Sequence, residues 1–383
     1  MLKKVIIFIP SIERGGVERN AIWVANELIE RGISVAVVYV RSASDQLAKL
    51  NKEVELIKAE GKSWRFPHQR IWDAVNIRSK FNQYLKEQDP KSTIVITFQS
   101  GITAINICKK NNIKVISRLS NHPNIVKFES NIVSHLSEML KPIYFKKADL
   151  VIANSEQTAL DFSKKIHKPV KTIYNPIDLF KVEKVSTEPI EQELELEAQK
   201  YSDKLLVAVG RLAHQKDYIT MIKGIAKSRY RDEIKVWILG EGAQRSQIEE
   251  AIRENGLEKT VRLLGYKGNV YSYMKKASLY IQTSLYEGCP NALIEAVAVG
   301  LPSISTNCLS GPEEVLLKGK GGILIPIQDY DAVGKAIDDF FEHPDLYRQK
   351  QLEAYKALDR FKNERIMEQY LDAMEQILQT NSI

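Results

Sequence analysis

The stretch SLYIQTSLYEGCPNALIEAVAVGLPSIST, residues 278–306, changes its hydrophobic period three times. It opens with an apolar, β-favouring run, Leu279-Tyr280-Ile281, and passes through a loop holding Glu287, Gly288 and Pro290. It then becomes helical, with Ala292, Leu293, Ala296 and Val297 on one face. Gly300 and Pro302 stop the helix. A further apolar strand, Pro302 to Ser305, follows at once, so the stretch predicts strand, loop, helix, strand, which is a parallel crossover.

In sheets built from such crossovers the ligand crevice lies beyond the carboxyl ends of the strands, where the Glu287 loop falls. The loop leads into a helix start whose backbone N–H groups, around Gly288 to Leu293, suit a phosphate or a sugar oxygen. Two carboxylates, Glu287 before the helix and Glu295 inside it, would repel a phosphate. They are suited instead to accept hydrogen bonds from neutral hydroxyls, and one carboxylate takes a vicinal diol with both oxygens. Spacing alone leaves a second reading open, in which Glu287 favours the helix dipole and Glu295 is a solvated surface residue.

Composition bounds the rest. The chain has 383 residues, of which 44% are hydrophobic and 27% charged, enough for two domains with cores of their own. No run of 18 apolar residues occurs, and the apolar N-terminal run is too short for a membrane span and lacks a small-residue cleavage site, so it reads as a first buried strand. The three cysteines, Cys108, Cys289 and Cys308, show no paired metal spacing, which fits a reducing cytoplasm and argues against a zinc site. Charge is uneven: residues 1–180 carry about +11, leaving about −4 of the net +7 for the remainder. A basic first half suits an anionic surface, nucleic acid or membrane. Its aromatic residues lie mainly in apolar runs, which disfavours nucleic acid. The stretch from Ile125 to Lys147 mixes apolar residues with Lys127, Lys141, Lys146 and Lys147, a pattern shared by membrane-surface helices and ordinary core-facing ones.

The first half alternates strands (Lys3 to Ile9, Ser34 to Val40, Val54 to Ile57, Thr93 to Phe98, Lys114 to Ser117, Asp149 to Ala153) with helices. Gly15-Gly16 opens the first helix, where paired glycines permit close backbone approach or simply a tight turn; the dinucleotide pattern G-x-G-x-x-G is absent. His122 stands in the loop after the fifth strand. The Glu-rich stretch Lys181 to Lys200 reads as a solvated connection with a short helix. In the second half the apolar run Leu205 to Val209 suits a central parallel strand. It delivers Gly210-Arg211 and, five residues after Arg211, Lys216; the two cations can converge on one polyanion or stay solvated. Gly319 to Gly322 reads as a hairpin-like connection. Asp329-Tyr330-Asp331 has the form of a D-x-D metal motif, but it precedes a helix and N-capping explains it better.

The string Glu287-Gly-Cys-Pro-Asn-Ala-Leu-Ile-Glu295 resembles the E-x7-E signature of the retaining glycosyltransferases of family 4. The resemblance extends through Gly15-Gly16-Val17-Glu18-Arg19, the Asn175-Pro176-Ile177-Asp178 segment, Gly210-Arg211 with Lys216, and Gly240-Glu241-Gly242. It implies a GT-B fold: two doubly wound α/β domains facing across a cleft. Residues 1–180 would bind the acceptor, with a C-terminal helix within 360–383 packing back on them, and residues 181–359 would bind a nucleotide sugar. The resemblance implies a metal-independent transfer without cofactor. Glu287 would hold sugar hydroxyls, Glu295 with Asn291, Ala292 and Leu293 would line the donor site, and Gly288 would allow close approach. Arg211 and Lys216 would clamp the diphosphate beside Gly210, Gly15 and Gly16. Tyr266 and Lys267 would meet the base, and His122 the sugar. It further implies a UDP-sugar donor, a lipid-linked or oligosaccharide acceptor in surface polysaccharide or lipopolysaccharide synthesis, and a cytoplasmic protein in peripheral contact with the inner membrane. A nucleotide-sugar epimerase and a GDP-mannose-dependent mannosyltransferase share these features.

Overall fold

The computed structural model describes residues 2–13, 15–59, 69–99, 101–120 and 132–379, with backbone only for 69–75 and 132–138. The chain divides into two units, Met1–Pro176 with Glu364–Ile383, and Ile177–Asn363.

The first unit holds strands β1 (Lys4–Phe8), β2 (Ser11–Ile12), β3 (Ser34–Tyr39), β4 (Arg41–Ser42), β5 (Glu55–Lys58), β6 (Thr93–Thr97), β7 (Lys114–Leu119), β8 (Leu150–Ala153) and β9 (Val170–Thr172). Seven of them form one parallel sheet in the order β5-β3-β1-β6-β7-β8-β9, and β2 pairs β4 apart from it. Strands such as β1 and β6 are apolar without interruption because helices cover both faces of a parallel sheet. Ile6, Ile7, Phe8, Val95 and Ile96 are all fully buried. The sequence expected neither the short β2 and β4 nor β9, since runs of two or three residues carry no period.

The C-terminal helix Asn363–Gln379 belongs to this unit. It buries Ile366, Met367, Tyr370, Met374 and Ile377, each contributing roughly 1.5–3 kcal/mol. A polar knot fixes its register. Arg118, only 4% exposed on β7, donates from Nε to Tyr370 Oη at 3.0 Å, from one terminal nitrogen to Ser120 Oγ at 3.0 Å, and from the other to Asn175 Oδ1. Asn20 donates to the same Asn175 oxygen at 2.7 Å. One buried guanidinium therefore ties β7, the segment leaving the unit and the helix that returns to it.

In the second unit, β10 (Leu205–Val209), β11 (Lys235–Leu239), β12 (Val261–Gly265), β13 (Leu279–Gln282), β14 (Ser303–Thr306) and β15 (Ile323–Ile325) form a parallel sheet ordered β12-β11-β10-β13-β14-β15. The chain runs outward from β10 to β12 and then returns to run outward the other way from β13. The switch point therefore lies between β10 and β13, and the loops that follow those two strands flank the crevice that such a reversal opens.

Two expectations are corrected. Lys181 to Lys200 is no solvated connection: it forms helices Leu179–Ser186 and Gln192–Lys200, which bury Val182, Leu194 and Ala198. Its glutamates dock on the sheet and on the helix Tyr271–Lys276. Glu197 pairs with Lys235 at 3.1 Å and accepts from Trp237 Nε1 at 2.6 Å, Glu193 pairs with Arg262 at 2.8 Å, and Glu195 pairs with Lys276 at 2.6 Å. An acidic run looks solvated in sequence because its cations come from distant elements, β11, β12 and the helix Tyr271–Lys276. Nor is Gly319 to Gly322 a hairpin. Strand β15 runs parallel to β14, so the link must cross over, and it does so through the short helix Pro312–Val315 and a 3-10 turn.

Candidate active site

Strand β10 ends at Val209, and the next residues, from Gly210 on, are locked against the loop after β11. Gly210 N–H donates to Leu239 O at 3.0 Å, Leu212 N–H to Glu241 O at 2.9 Å, and Gln244 N–H to Leu212 O at 3.0 Å. The approach is so close that a Cβ on Gly240, whose φ is +147°, would stand 1.9 Å from Gly210 O, and one on Gly242 would stand 2.3 Å from Leu212 O. Only glycine fits at these two positions. The chain then makes a 3-10 turn, His214–Lys216. Asp217, at φ +45°, caps the helix Tyr218–Lys227 by accepting from Thr220 N–H at 3.3 Å.

This turn is bound to the loop after β13. Gln215 O accepts from Leu285 N–H at 2.8 Å, Gln215 Nε2 donates to Tyr286 O at 2.9 Å, and Thr283 Oγ1 donates to Asp217 O at 2.9 Å. The junction places Lys216 Nζ 2.6 Å from Glu287 Oε1, an ion pair whose side chains are 18% and 7% exposed. Ser284 Oγ donates to the same Oε1 at 2.7 Å. Oε2 has no protein partner among the described residues. From the other side, Thr306 Oγ1 donates to Ser284 O at 2.6 Å and Ser310 Oγ to Glu287 O at 3.1 Å. Gly311, at φ +91°, brings its backbone so near that a Cβ would meet Gly288 O at 2.5 Å. The Glu287 carboxylate disfavours ionisation of its neighbours: burial first, then this charge, pushes the Tyr218 hydroxyl and the Cys308 thiol up.

Helix Asn291–Val299 starts at Pro290, whose carbonyl accepts from Leu293 N–H at 3.0 Å and Ile294 N–H at 3.1 Å. Glu295 is 6% exposed and accepts from Tyr271 Oη at 3.3 Å, so it is no solvated surface residue. Asn291 and Ala292 are half-buried at the helix start, and Gly288 and Leu293 are buried.

The structure thus brings together Gly210, Lys216, Glu287, Gly288 and the helix start. Arg211 is exposed, with no ion-pair partner among the described residues. Tyr266 is 54% exposed. The Lys267 ammonium is engaged elsewhere, by Glu191, whose carboxyl that bond and one from Tyr273 hold down at about 2. In the first unit, exposed Gly15 and Gly16 open the helix Gly16–Glu30 after β1, and the Glu18 carboxylate folds back so far that a Cβ on Gly15 would stand 2.3 Å from it. His122 lies outside the described residues. Asp329 accepts from Ala332 N–H at 2.8 Å and so caps a helix. Sequence reading missed Gln215, Thr283, Ser284, Thr306 and Ser310; the adjacent hydroxyls of Thr283-Ser284 in a strand-end loop were the available signal.

Two parallel-sheet α/β units, the second with a braced lysine–glutamate pair at its switch point, define the class of GT-B glycosyltransferases. Two family models divide the chain, Glycosyltransferase Family 4 over residues 14–180 and Glycosyl transferases group 1 over residues 190–357. The chain belongs to glycosyltransferase family 4, and it is a glycosyltransferase. It is similar to the Campylobacter jejuni N-acetylgalactosamine-N,N'-diacetylbacillosaminyl-diphospho-undecaprenol 4-alpha-N-acetylgalactosaminyltransferase, with 29% identity over 65% of this chain and 67% of that one. A second C. jejuni enzyme, a GalNAc-alpha-(1->4)-GalNAc-alpha-(1->3)-diNAcBac-PP-undecaprenol alpha-1,4-N-acetyl-D-galactosaminyltransferase, is 23% identical over 98% of this chain and 99% of its own. Among solved structures, Anabaena Alr3699/HepE in complex with UDP-glucose superposes with a TM-score of 0.80 at 18% identity, over 97% of this chain and 99% of that one.

Proposed function

We propose that this glycosyltransferase moves a hexose or N-acetylhexosamine from a UDP-sugar, with retention of anomeric configuration, to a hydroxyl of a lipid-linked or glycan acceptor in surface polysaccharide synthesis. The observation that carries the reading is Glu287, buried at the switch point with Oε1 saturated by Lys216 and Ser284 and Oε2 left to accept from a ligand hydroxyl. The names of the C. jejuni relatives support the acceptor, and the UDP-glucose bound to the Anabaena protein supports the donor.

When the glycosidic bond breaks, negative charge grows on the departing diphosphate. Lys216 and Arg211 stabilise that charge, together with the N-terminal end of the helix that follows Pro290. In the front-face course that the family resemblance implies, the departing phosphate oxygen takes the acceptor proton on the same face of the sugar. The charge balance then needs no metal.

Thermal unfolding with UDP, GDP, ADP or NAD, with and without EDTA, tests the donor. A ligand at a hundred times its dissociation constant adds about 2.7 kcal/mol, and the expected result is an EDTA-insensitive rise with UDP alone. A rise with GDP alone redirects the reading to a mannosyl donor. Conversion of the sugar without acceptor makes the chain an epimerase. The anomeric proton of the product, followed by NMR, tests retention.

A further inference from the structure

We propose that Ser284 is a positioning residue for transfer, holding the Glu287 carboxylate in the one orientation that presents Oε2 to the donor sugar. The inference rests on the donor-site reading of Glu287. It deepens that reading by asking what fixes the carboxylate while the lysine beside it is otherwise engaged.

The backbone around Glu287 is pinned on both sides. Its N–H donates to Leu309 O at 3.4 Å, its carbonyl accepts from Ser310, and Tyr286 bridges Leu309. What stays adjustable is the side chain, and two donors converge on Oε1 to restrain it, Lys216 Nζ at 2.6 Å and Ser284 Oγ at 2.7 Å. They are unequal restraints. Lys216 is a point charge on a flexible stem, and the diphosphate of a bound donor competes for its ammonium. Ser284 is fully buried, and its own carbonyl is fixed by Thr306 Oγ1 at 2.6 Å. Its hydroxyl sits three residues before the carboxylate in the same short loop, so it stays with Oε1 when the ammonium turns to phosphate. A carboxylate that lost both donors would be free to turn either oxygen inward, and the site would lose the alignment that transfer requires. Tyr218, Tyr280 and Cys308 also face Glu287 and are held neutral by burial and by its charge, but Tyr218 donates to Gly210 O at 3.1 Å and Tyr280 to Gln282 Oε1 at 3.2 Å, and a thiol is a weak donor.

The test measures kcat and KM with UDP-N-acetylgalactosamine and UDP-glucose, and UDP affinity separately, for Ser284→Ala, Ser284→Cys and Glu287→Gln. Ser284→Ala is expected to lower kcat/KM about tenfold, the loss of one bond to a charged group. UDP affinity stays as in the wild type, because the diphosphate contacts do not depend on the Glu287 orientation, while the unfolding midpoint falls because a buried carboxylate loses one of its two donors. Ser284→Cys, with a weak donor of similar size, falls between. Added to Glu287→Gln, Ser284→Ala costs nothing more, since it acts through the carboxylate. An unchanged rate in Ser284→Ala beside a defective Glu287→Gln overturns the positioning role alone, as does a further loss in the double variant. Wild-type turnover in Glu287→Gln overturns the donor-site reading, and the role of Ser284 with it.

Discussion

Lys216 and Glu287 are each other's compensation in a site that excludes most water, so removing either alone leaves a charge without its partner. Lys216→Ala is expected to lower stability by about 3 kcal/mol, the scale for breaking a buried pair. The Lys216→Ala, Glu287→Ala double variant is expected to lose less than the two single losses added. Urea unfolding of the four proteins in the cycle decides this, and simple additivity would show the pair to be uncoupled. Arg211 contrasts with this. Exposed and without an ion-pair partner among the described residues, it contributes little to the fold, and Arg211→Ala is expected to keep the wild-type unfolding midpoint while losing about a hundredfold in turnover, the scale of one lost transition-state donor. Gly240 has no such latitude: the Cβ of Gly240→Ala would overlap Gly210 O, so the variant is expected to lose stability and activity together.

At the scale of elements, two attachments decide how the chain closes. The C-terminal helix is registered on the first unit by Tyr370 Oη, the partner of Arg118 Nε. Tyr370→Phe keeps the apolar packing and leaves a buried guanidinium N–H unsatisfied, which costs about 1–3 kcal/mol. An unchanged unfolding midpoint would remove the knot from the account of the fold. In the second unit the Gln192–Lys200 helix is tethered at its start by Glu191, which accepts from Tyr273 and pairs with Lys267. Its folded-state value of about 2 lies below the ordinary 4.5. The sign follows: the stabilisation is complete above about pH 4.5 and fades as the pH falls toward 2. Glu191→Gln is therefore expected to flatten the acid limb of a stability-against-pH curve and to narrow its difference from wild type as the pH drops.

For the whole molecule, the excess positive charge lies on the first half of the sequence, where residues 1–180 carry about +11 against a net +7 for the chain. The helix Ile132–Phe145 turns Phe145 into the core and leaves Met139 72% and Ile143 59% exposed, one helical turn apart, with Lys146 and Lys147 just beyond. Two exposed apolar side chains beside cations are the pattern of a helix lying on an anionic surface. No helix among the described residues is long and apolar enough to cross a membrane. Sedimentation with anionic vesicles is expected to carry down the wild-type chain in a salt-sensitive way and to carry down less of Met139→Asp, Ile143→Asp. Equal sedimentation of the two would rule this face out as the contact.

Much of this was legible in the sequence because it is written in local period and local turn chemistry. The crossover over residues 278–306, the apolar central strands, the helix Asn363–Gln379 to within a residue and the Asp329 cap each depend on neighbours within a few positions. So does the location of Glu287 in a loop beyond a parallel strand. What the sequence could not carry is whatever needs a partner from far along the chain. Glu193, Glu195 and Glu197 looked solvated because their cations are Arg262, Lys276 and Lys235. Lys216 and Glu287 meet only because β10 and β13 are neighbours in the sheet, although 71 residues separate them. The sequence by itself determined the central strands of the two parallel sheets, the helices at 291–299 and 363–379, and the family. Only the tertiary structure decided which oxygen of Glu287 is held by the protein and which is left for a ligand, because that choice depends on distances between side chains that no local pattern encodes.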